Sequence, residues 1–273
     1  MQMAKSNLIQ PRFVTYIFYG FYLTLTRGIS MPVHKHHALQ LTLSTNQPFD
    51  ARVGKYQYNG RGLLIGSGQS HSTPATDEVL INFLIEPESE AGRHLDQFIG
   101  RRSYVSLPDV FVDQFAPLLG GLIVTEQLPR EQILDIYHQL IPAVIGATDE
   151  VLDLDPRIEE SIQRMVALPK KRVSARKLAS SVALSESRLL HLFKTETGTT
   201  LRAYLLWLRL GQALKLFWTG ASLTDAAHAA GFADAAHLSR TSRQVFGAPL
   251  SAFSKNDQTL QVYFYEKPYR DEA

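Results

Sequence analysis

The 273-residue chain has no cysteine. That excludes disulfides, thiolate-bound zinc and a cysteine nucleophile, and it suits a reducing compartment such as the cytoplasm. Low-complexity tracts are also missing, and 45% hydrophobic with 20% charged residues is the composition of a folded globular protein. No apolar run looks long enough for a membrane. FVTYIFYGFYLTL (Phe13 to Leu25) is too short to span a bilayer, interleaves Thr and Tyr, and has no small-residue cleavage site after it. Its aromatic and β-branched content points to strands, so neither a targeting nor a membrane segment is expected.

The total charge lacks a strong sign, at +2, but its distribution does not. Residues 1–154 carry 11 Lys+Arg against 15 Asp+Glu, whereas residues 155–256 carry 15 against 7. A basic block of that size beside an acidic one is the footprint of a domain that meets a polyanion.

Two domains fit the length. The first half reads as short strands: ALQLTLS (Ala38 to Ser44) alternates with period two, and GRGLLIGSGQSH and EVLINFLIE are further runs broken by turn residues. A small barrel or sandwich follows. From about Asp109 the period becomes helical. EQILDIYHQLI puts Ile133, Ile136, Tyr137 and Leu140 on one stripe, which either covers the barrel or pairs with a second subunit. Asp155 followed by Pro156 marks the boundary, as an N-cap carboxylate before a ring that needs no donor.

Beyond it two segments share one layout. Ser174 caps a short helix and Ser185 the next; Ser222, with Asp225 three residues on, opens another pair that Asp234 completes. Each is helix, tight turn, helix. At about 100° per residue, Leu189, Leu192 and Phe193 share one face while Ser187, His191 and Lys194 share the other. In the later helix Leu238 and Val245 point in, and Ala236, Arg240 and Arg243 point out. Outward faces of this kind can reach base edges and phosphates, although a lone charged face is more often merely solvated. Between the pairs, TLRAYLLWLRLGQALKLFWTG is apolar on two sides, Leu201, Leu205 and Leu208 on one and Leu206, Leu210 and Phe217 on another. That suits a helix shared by two small bundles.

These residues resemble the AraC/XylS family of bacterial transcription regulators. The likeness runs from about Asp155 to Phe253 through DPRI, KLASSVALSESRLLHLFKTETGTTLRAYLLWLRLGQAL, SLTDAAHAAGFADAAHLSR and FGAPLSAF. The resemblance implies two helix-turn-helix units on a long helix, reading an asymmetric double-stranded operator through adjacent major grooves. By position, the first unit would offer Ser187, Arg188, Leu190, His191 and Lys194, with Ser185 at a phosphate. The second would offer Ala236, His237, Arg240 and Arg243, while the Asp234 carboxylate would repel a phosphate. The chain departs from the family at Ser242 and Leu238, where aromatics are common, at Pro249, one position early, and at Ser254, in place of a frequent Arg. A looser second unit is expected from these changes.

The family resemblance extends to an N-terminal cupin-like effector barrel. MPVHKHHALQL sets His34 and His36 on one strand face and His37 on the other, and His71 comes from a separate strand end. In metal cupins such histidines converge with a carboxylate, and here no carboxylate follows the triplet until Asp50. His34, His36, His37 and His71 therefore read as effector-pocket lining, with His34, His36 and His71 as a candidate divalent-metal set for Zn, Fe, Ni or Mn.

The expected fold class is α+β: a small cupin-like β-barrel with flanking helices, then an all-α domain of two helix-turn-helix units joined by a long helix. The expected divisions are 1–108 for the effector barrel, 109–154 for a helical dimerisation or coupling segment, 155–256 for the DNA-binding domain and 257–273 for a tail. The expected activity is that of a cytoplasmic, homodimeric, effector-controlled transcription activator or repressor that engages RNA polymerase and is not an enzyme. Two alternatives are a cupin metalloenzyme fused to a DNA-binding module, and a constitutive DNA binder with a degenerate barrel. Bound metal with histidine-dependent activity would mark the first, and ligand-indifferent DNA binding the second.

Overall fold

A computed structural model describes residues 12–120, 129–146, 153–168, 172–252, 257 and 259–265. Most of the linker before Asp155, the Phe253 and Ser254 positions and much of the 257–273 tail lie outside the described residues.

Among the described residues the N-terminal half holds ten strands: β1 (Phe13–Ile17), β2 (Phe21–Thr26), β3 (Met31–His34), β4 (Leu39–Ser44), β5 (Phe49–Val53), β6 (Tyr56–Gly60), β7 (Gly62–Ile65), β8 (His71–Thr73), β9 (Leu80–Ile85) and β10 (Tyr104–Ser106). Between β9 and β10 lies α1 (Glu90–Ile99), and α2 (Asp109–Gly120) and α3 (Arg130–Ile145) follow. The strands form two sheets rather than a hydrogen-bond-closed barrel. One runs β10-β7-β4-β9-β2-β1-β11 and the other β3-β8-β5-β6. The last strand of the larger sheet, β11 (Leu260–Phe264), comes from the expected tail and pairs in parallel with β1. The chain thus returns from its C-terminal half to the sheet it began.

The period-two pattern has an unusual outcome, because both faces of the larger sheet are buried. Leu39, Leu41 and Leu43 of β4 join Leu23, Leu25, Ile81 and Phe83 in a core with α2 and α3. The stripe Ile133, Ile136, Tyr137 and Leu140 is spent on that core, so this face of α3 covers the sheet. The other face of the same strands turns Thr15, Tyr22, Thr24, Gln40 and Asn82 towards a cavity. Burying a polar strand face costs free energy unless the groups bond each other, and Thr15 with Thr24 and Thr42 with Asn82 do so at 2.9 Å.

The C-terminal half contains α4 (Pro156–Ala167), α5 (Ala175–Ser181), α6 (Glu186–Thr197), α7 (Leu201–Trp218), α8 (Leu223–Ala229) and α9 (Ala235–Phe246). Each expected cap is in place: Asp155, Ser174, Ser185, Ser222 and Asp234 all accept a backbone N–H of the first turn. As its two apolar sides require, α7 serves two cores. Leu201, Tyr204 and Leu205 pack with α4, α5 and α6, and Leu210, Ala213 and Leu214 pack with α8 and α9. Ser242, standing where an aromatic is usual, is fully buried, and its hydroxyl donates to the Ala248 carbonyl at 2.7 Å. Among the described residues no helix is long and apolar enough to cross a membrane.

Candidate functional site

Two surfaces carry chemistry. The first is the pair of helices α6 and α9. On α6 the buried Leu189, Leu192 and Phe193 fix the helix on its core, leaving Ser187, Arg188, Leu190, His191 and Lys194 exposed, with Ser185 exposed at its cap. On α9 the buried Leu238 and Thr241 do the same, leaving Ala236, Arg240 and Arg243 exposed and His237 half-buried with its ring edge against Phe232. Each helix therefore presents a mostly polar face, with Leu190 on α6 and Ala236 on α9 as its apolar members. Asp234 holds the His237 amide at 2.6 Å, which keeps its carboxyl below the usual range, so a negative charge sits at the start of α9.

The second is the histidine cluster. His34 at the end of β3, His36 just before β4 and His71 opening β8 are buried, and their ligand-capable atoms lie within 4.8 Å of one another. A carbonyl only accepts, so each ring must donate through Nδ1: to Pro32 at 2.8 Å, to Ala38 at 2.9 Å and to Gln69 at 2.9 Å. A neutral imidazole has one N–H, so every Nε2 is left as a lone pair. Burial, reinforced at His36 and His71 by the neighbouring rings, keeps the histidines neutral; it lowers His34, takes His36 to about 4 and His71 to about 2. Gln40 Oε1 stands 3.1 Å from the Nε2 of both His36 and His71, while its amide nitrogen is committed to Thr42 and Asn82. Three lone pairs and an amide oxygen converging without a donor form a set that fits a divalent cation, with the carbonyls fixing ring orientation from behind. Gln40 was missed in the sequence reading, because it lies in β4 whereas His36 precedes the turn that leads into it.

His37 does not join them. It points to the opposite face, where Nε2 meets Glu88 at 2.6 Å. Burial alone would lower its pKa, but the Glu88 carboxylate outweighs that and raises it. Beside this pair lies Glu86, whose carboxyl accepts from Trp207 Nε1 at 2.9 Å. Burial, and then Glu88, push Glu86 up to about 7. Its backbone is held by close approach of α1, since a Cβ at Gly92 would lie 2.0 Å from the Glu86 carbonyl.

Trp207 belongs to α7, and with it the two halves meet. Tyr22 stacks on Trp207 at 5.4 Å, and Tyr204 packs edge-on against His37 at 5.5 Å. The C-terminal end of α9 leans on β3: Lys35 N–H donates to Gln244 at 3.1 Å, and Gly247, at φ +73°, leaves room for His34. Tyr204, Trp207, Gly211 and Leu214 recur at helical spacing, a third stripe on α7 that a reading for two cores passes over.

The cavity between the sheets has a volume of about 90 Å³. His34, His36 and Gln40 line it, together with Leu214 of α7, Phe246 of α9 and Val262 of β11.

A family model described as a helix-turn-helix domain matches residues 178–256. No curated protein sequence matches the chain. Among solved structures, ToxT from Vibrio cholerae O395 is 15% identical over 88% of this chain and 96% of its own, with a TM-score of 0.54. An unsaturated fatty acid-bound form of wild-type ToxT is 10% identical over 86% and 94%, with a TM-score of 0.53. An AraC-type DNA-binding regulator from Chromobacterium violaceum is 32% identical over 36% of this chain and 88% of its own, with a TM-score of 0.34. The α+β arrangement of a β-rich half followed by a helical half is therefore shared with ToxT, and residues 178–256 carry an AraC-type helix-turn-helix domain.

Proposed function

We propose that the protein reads an asymmetric operator with α6 and α9 in successive major grooves, under control of an effector bound in the N-terminal half. The observation that carries this is the pair of exposed faces on one rigid frame. The 18 residues of α7 span about 27 Å, comparable with the roughly 34–36 Å between successive grooves on one side of B-DNA. Arg188, His191 and Lys194, with Ser187 and Leu190, read one half-site, and Arg240, Arg243 and His237, beside Ala236, read the other. Ser185 meets a phosphate.

His34, His36 and His71, with Gln40, hold a divalent ion of the zinc, iron or nickel type, which supplies a fixed positive charge at the polar end of the cavity. The role is sensory, because Leu214 and Phe246 of the DNA-binding half line the same cavity as His34, His36 and Gln40. A neighbour of the same fold solved with a fatty acid lends support to a small-molecule effector. Val110 and Leu118 of α2, exposed large apolar residues, suit a homodimer contact, and recruitment of RNA polymerase by an activator in the cytoplasm completes the reading.

Selection of operator DNA from a random duplex pool, followed by gel-shift titration, tests it. Sequence-specific binding that weakens in both Arg188→Ala and Arg240→Ala is expected, and unchanged binding in both would sink the groove assignment. Zinc titration by calorimetry should give one site per chain, lost in His71→Ala; a flat titration removes the metal.

A further inference from the structure

We propose that the seam between the two helix-turn-helix units is a third contact with DNA, in which Arg172, Arg202 and Arg209 hold the phosphate backbone between the half-sites read by α6 and α9. The contact lies outside both reading faces, and it rests on the operator reading for the stretch of backbone it meets.

The fold gathers the three arginines from two places in the chain. Arg172 lies two residues before Ser174, the cap of α5, and its Nε donates to the Gly231 carbonyl at 2.8 Å. Gly231 stands just past α8, in the turn that leads into α9, so a residue of the first unit reaches the second where its reading helix is about to begin. Leftover carbonyls at the end of a helix favour a cation there. The bond to Gly231 uses Nε and one Nη, and the other Nη keeps its N–H groups for an outside acceptor. Arg202 and Arg209 belong to α7. At about 100° per residue they share one side of it, opposite the Tyr204, Trp207 and Gly211 stripe that meets the N-terminal half. Burial, and then Arg172 and Arg202, lower the pKa of Arg209, which places the three charges in one neighbourhood.

Like charges gathered in this way repel one another, and an anion from outside relieves the repulsion. Arg172 and Arg202 are exposed, and among the described residues neither forms an ion pair with a carboxylate. Guanidinium forks match the oxygens of a phosphate. Seven residues of α7 separate Arg202 from Arg209, about 10.5 Å along the helix, and roughly three steps of one DNA strand at 3.4 Å cover the same length. Phosphates carry no sequence, so this contact adds affinity and register without choosing bases.

The test uses the full chain with two duplexes, the operator selected from a random pool and an unrelated duplex of equal length. Arg172→Gln and Arg202→Gln are combined, and the half-buried Arg209 is left in place. Each phosphate contact contributes about 0.9 to the slope of log affinity against log salt, so the double variant should lose roughly 1.8 from that slope. It should bind the operator at least tenfold more weakly at low salt and keep the base preferences of the wild type. Ethylation of single phosphates between the half-sites should interfere with wild-type binding and cease to matter in the variant. Should the double variant melt lower than the wild type, Arg202→Gln alone carries the test with half the change in slope, because Arg202 makes no side-chain hydrogen bond among the described residues. An unchanged slope in a variant that melts normally, or interference confined to phosphates within the half-sites, overturns the inference. The unrelated duplex separates it from the operator reading. A slope that falls there too, with no operator preference in the wild type, leaves the contact and removes the reading. An operator preference that is lost in Arg188→Ala and Arg240→Ala, with an unchanged slope in the double variant, leaves the reading and removes the contact.

Discussion

In the first helix-turn-helix unit α6 packs on α4, α5 and α7, and its exposed face carries Arg188, His191 and Lys194. In the second, α9 has two jobs along one helix. Its outward face presents Arg240 and Arg243, while its C-terminal end, through Gln244, Phe246 and Gly247, rests on β3 and closes the cavity beside His34. The units share helix lengths of 7 and 12 residues and a serine cap on the first helix, and differ in the second cap and in what leans on them. A change in the cavity reaches the second unit by direct contact and the first only indirectly. On the proposed operator reading, the unit whose side chains are poorer in base-reading groups, with alanines at 235 and 236, would be the adjustable half-site reader.

The comparison can be broken most forcefully at the cores. Phe193 is fully buried in the first unit, and Phe193→Ala is expected to lower stability by about 3–5 kcal/mol in denaturant titration. Phe246 is only partly buried, so Phe246→Ala should cost clearly less; an equal loss would mean that the second unit is as self-contained as the first. Next in size is the reading itself. Arg188→Ala and Arg240→Ala should each weaken operator binding by about 1–3 kcal/mol, with relaxed specificity confined to the corresponding half-site. Loss from the first unit alone would make the second a phosphate anchor.

A third test addresses the contact between halves. Glu86, facing Trp207, Tyr22, Tyr137, Glu88 and His37, has a folded pKa near 7 against an ordinary 4.5. The folded state therefore binds the proton more tightly than the unfolded one. The contribution is fully present below about 4.5 and is lost as pH rises through about 7. Between pH 5.5 and 8 this loss opposes the gain from the buried neutral His34, His36 and His71. The readout is therefore the difference from Glu86→Gln, which keeps an acceptor for Trp207: the melting temperature of the wild type relative to that variant should fall as pH rises. The smallest effect is expected at the α9 cap. Asp234→Asn keeps an N-cap and removes a charge that repels phosphate, so operator affinity should rise by about 0.3–1 kcal/mol at low salt. A fall would place the start of α9 away from the backbone.

Much of the helical half was legible because its signals are local. Caps at Ser174, Ser185, Ser222 and Asp234 act within four residues, and the double stripe of α7 required two cores whatever their contents. In the N-terminal half, strands β4 and β9 were legible from alternation, but the alternation left open what the polar face met. Glu90–Ile99 and the hairpin of β5 and β6 were not anticipated. The tail concealed β11, since five residues of LQVYF become a strand only where β1 offers an unpaired edge.

By itself the sequence determined the helix-turn-helix frame and its outward faces, because capping and helical periodicity are written in neighbouring residues. Strand parity alone does not account for His34 and His36, because β3 ends at His34 and His36 lies between β3 and β4. Only the tertiary structure decided that His71 and Gln40 complete the cluster, that His37 turns away to Glu88, and that Leu214, Phe246 and Val262 close the cavity. Those partners lie tens to hundreds of residues apart, and no local rule carries the register of two sheets and a returning strand that brings them within a few ångströms.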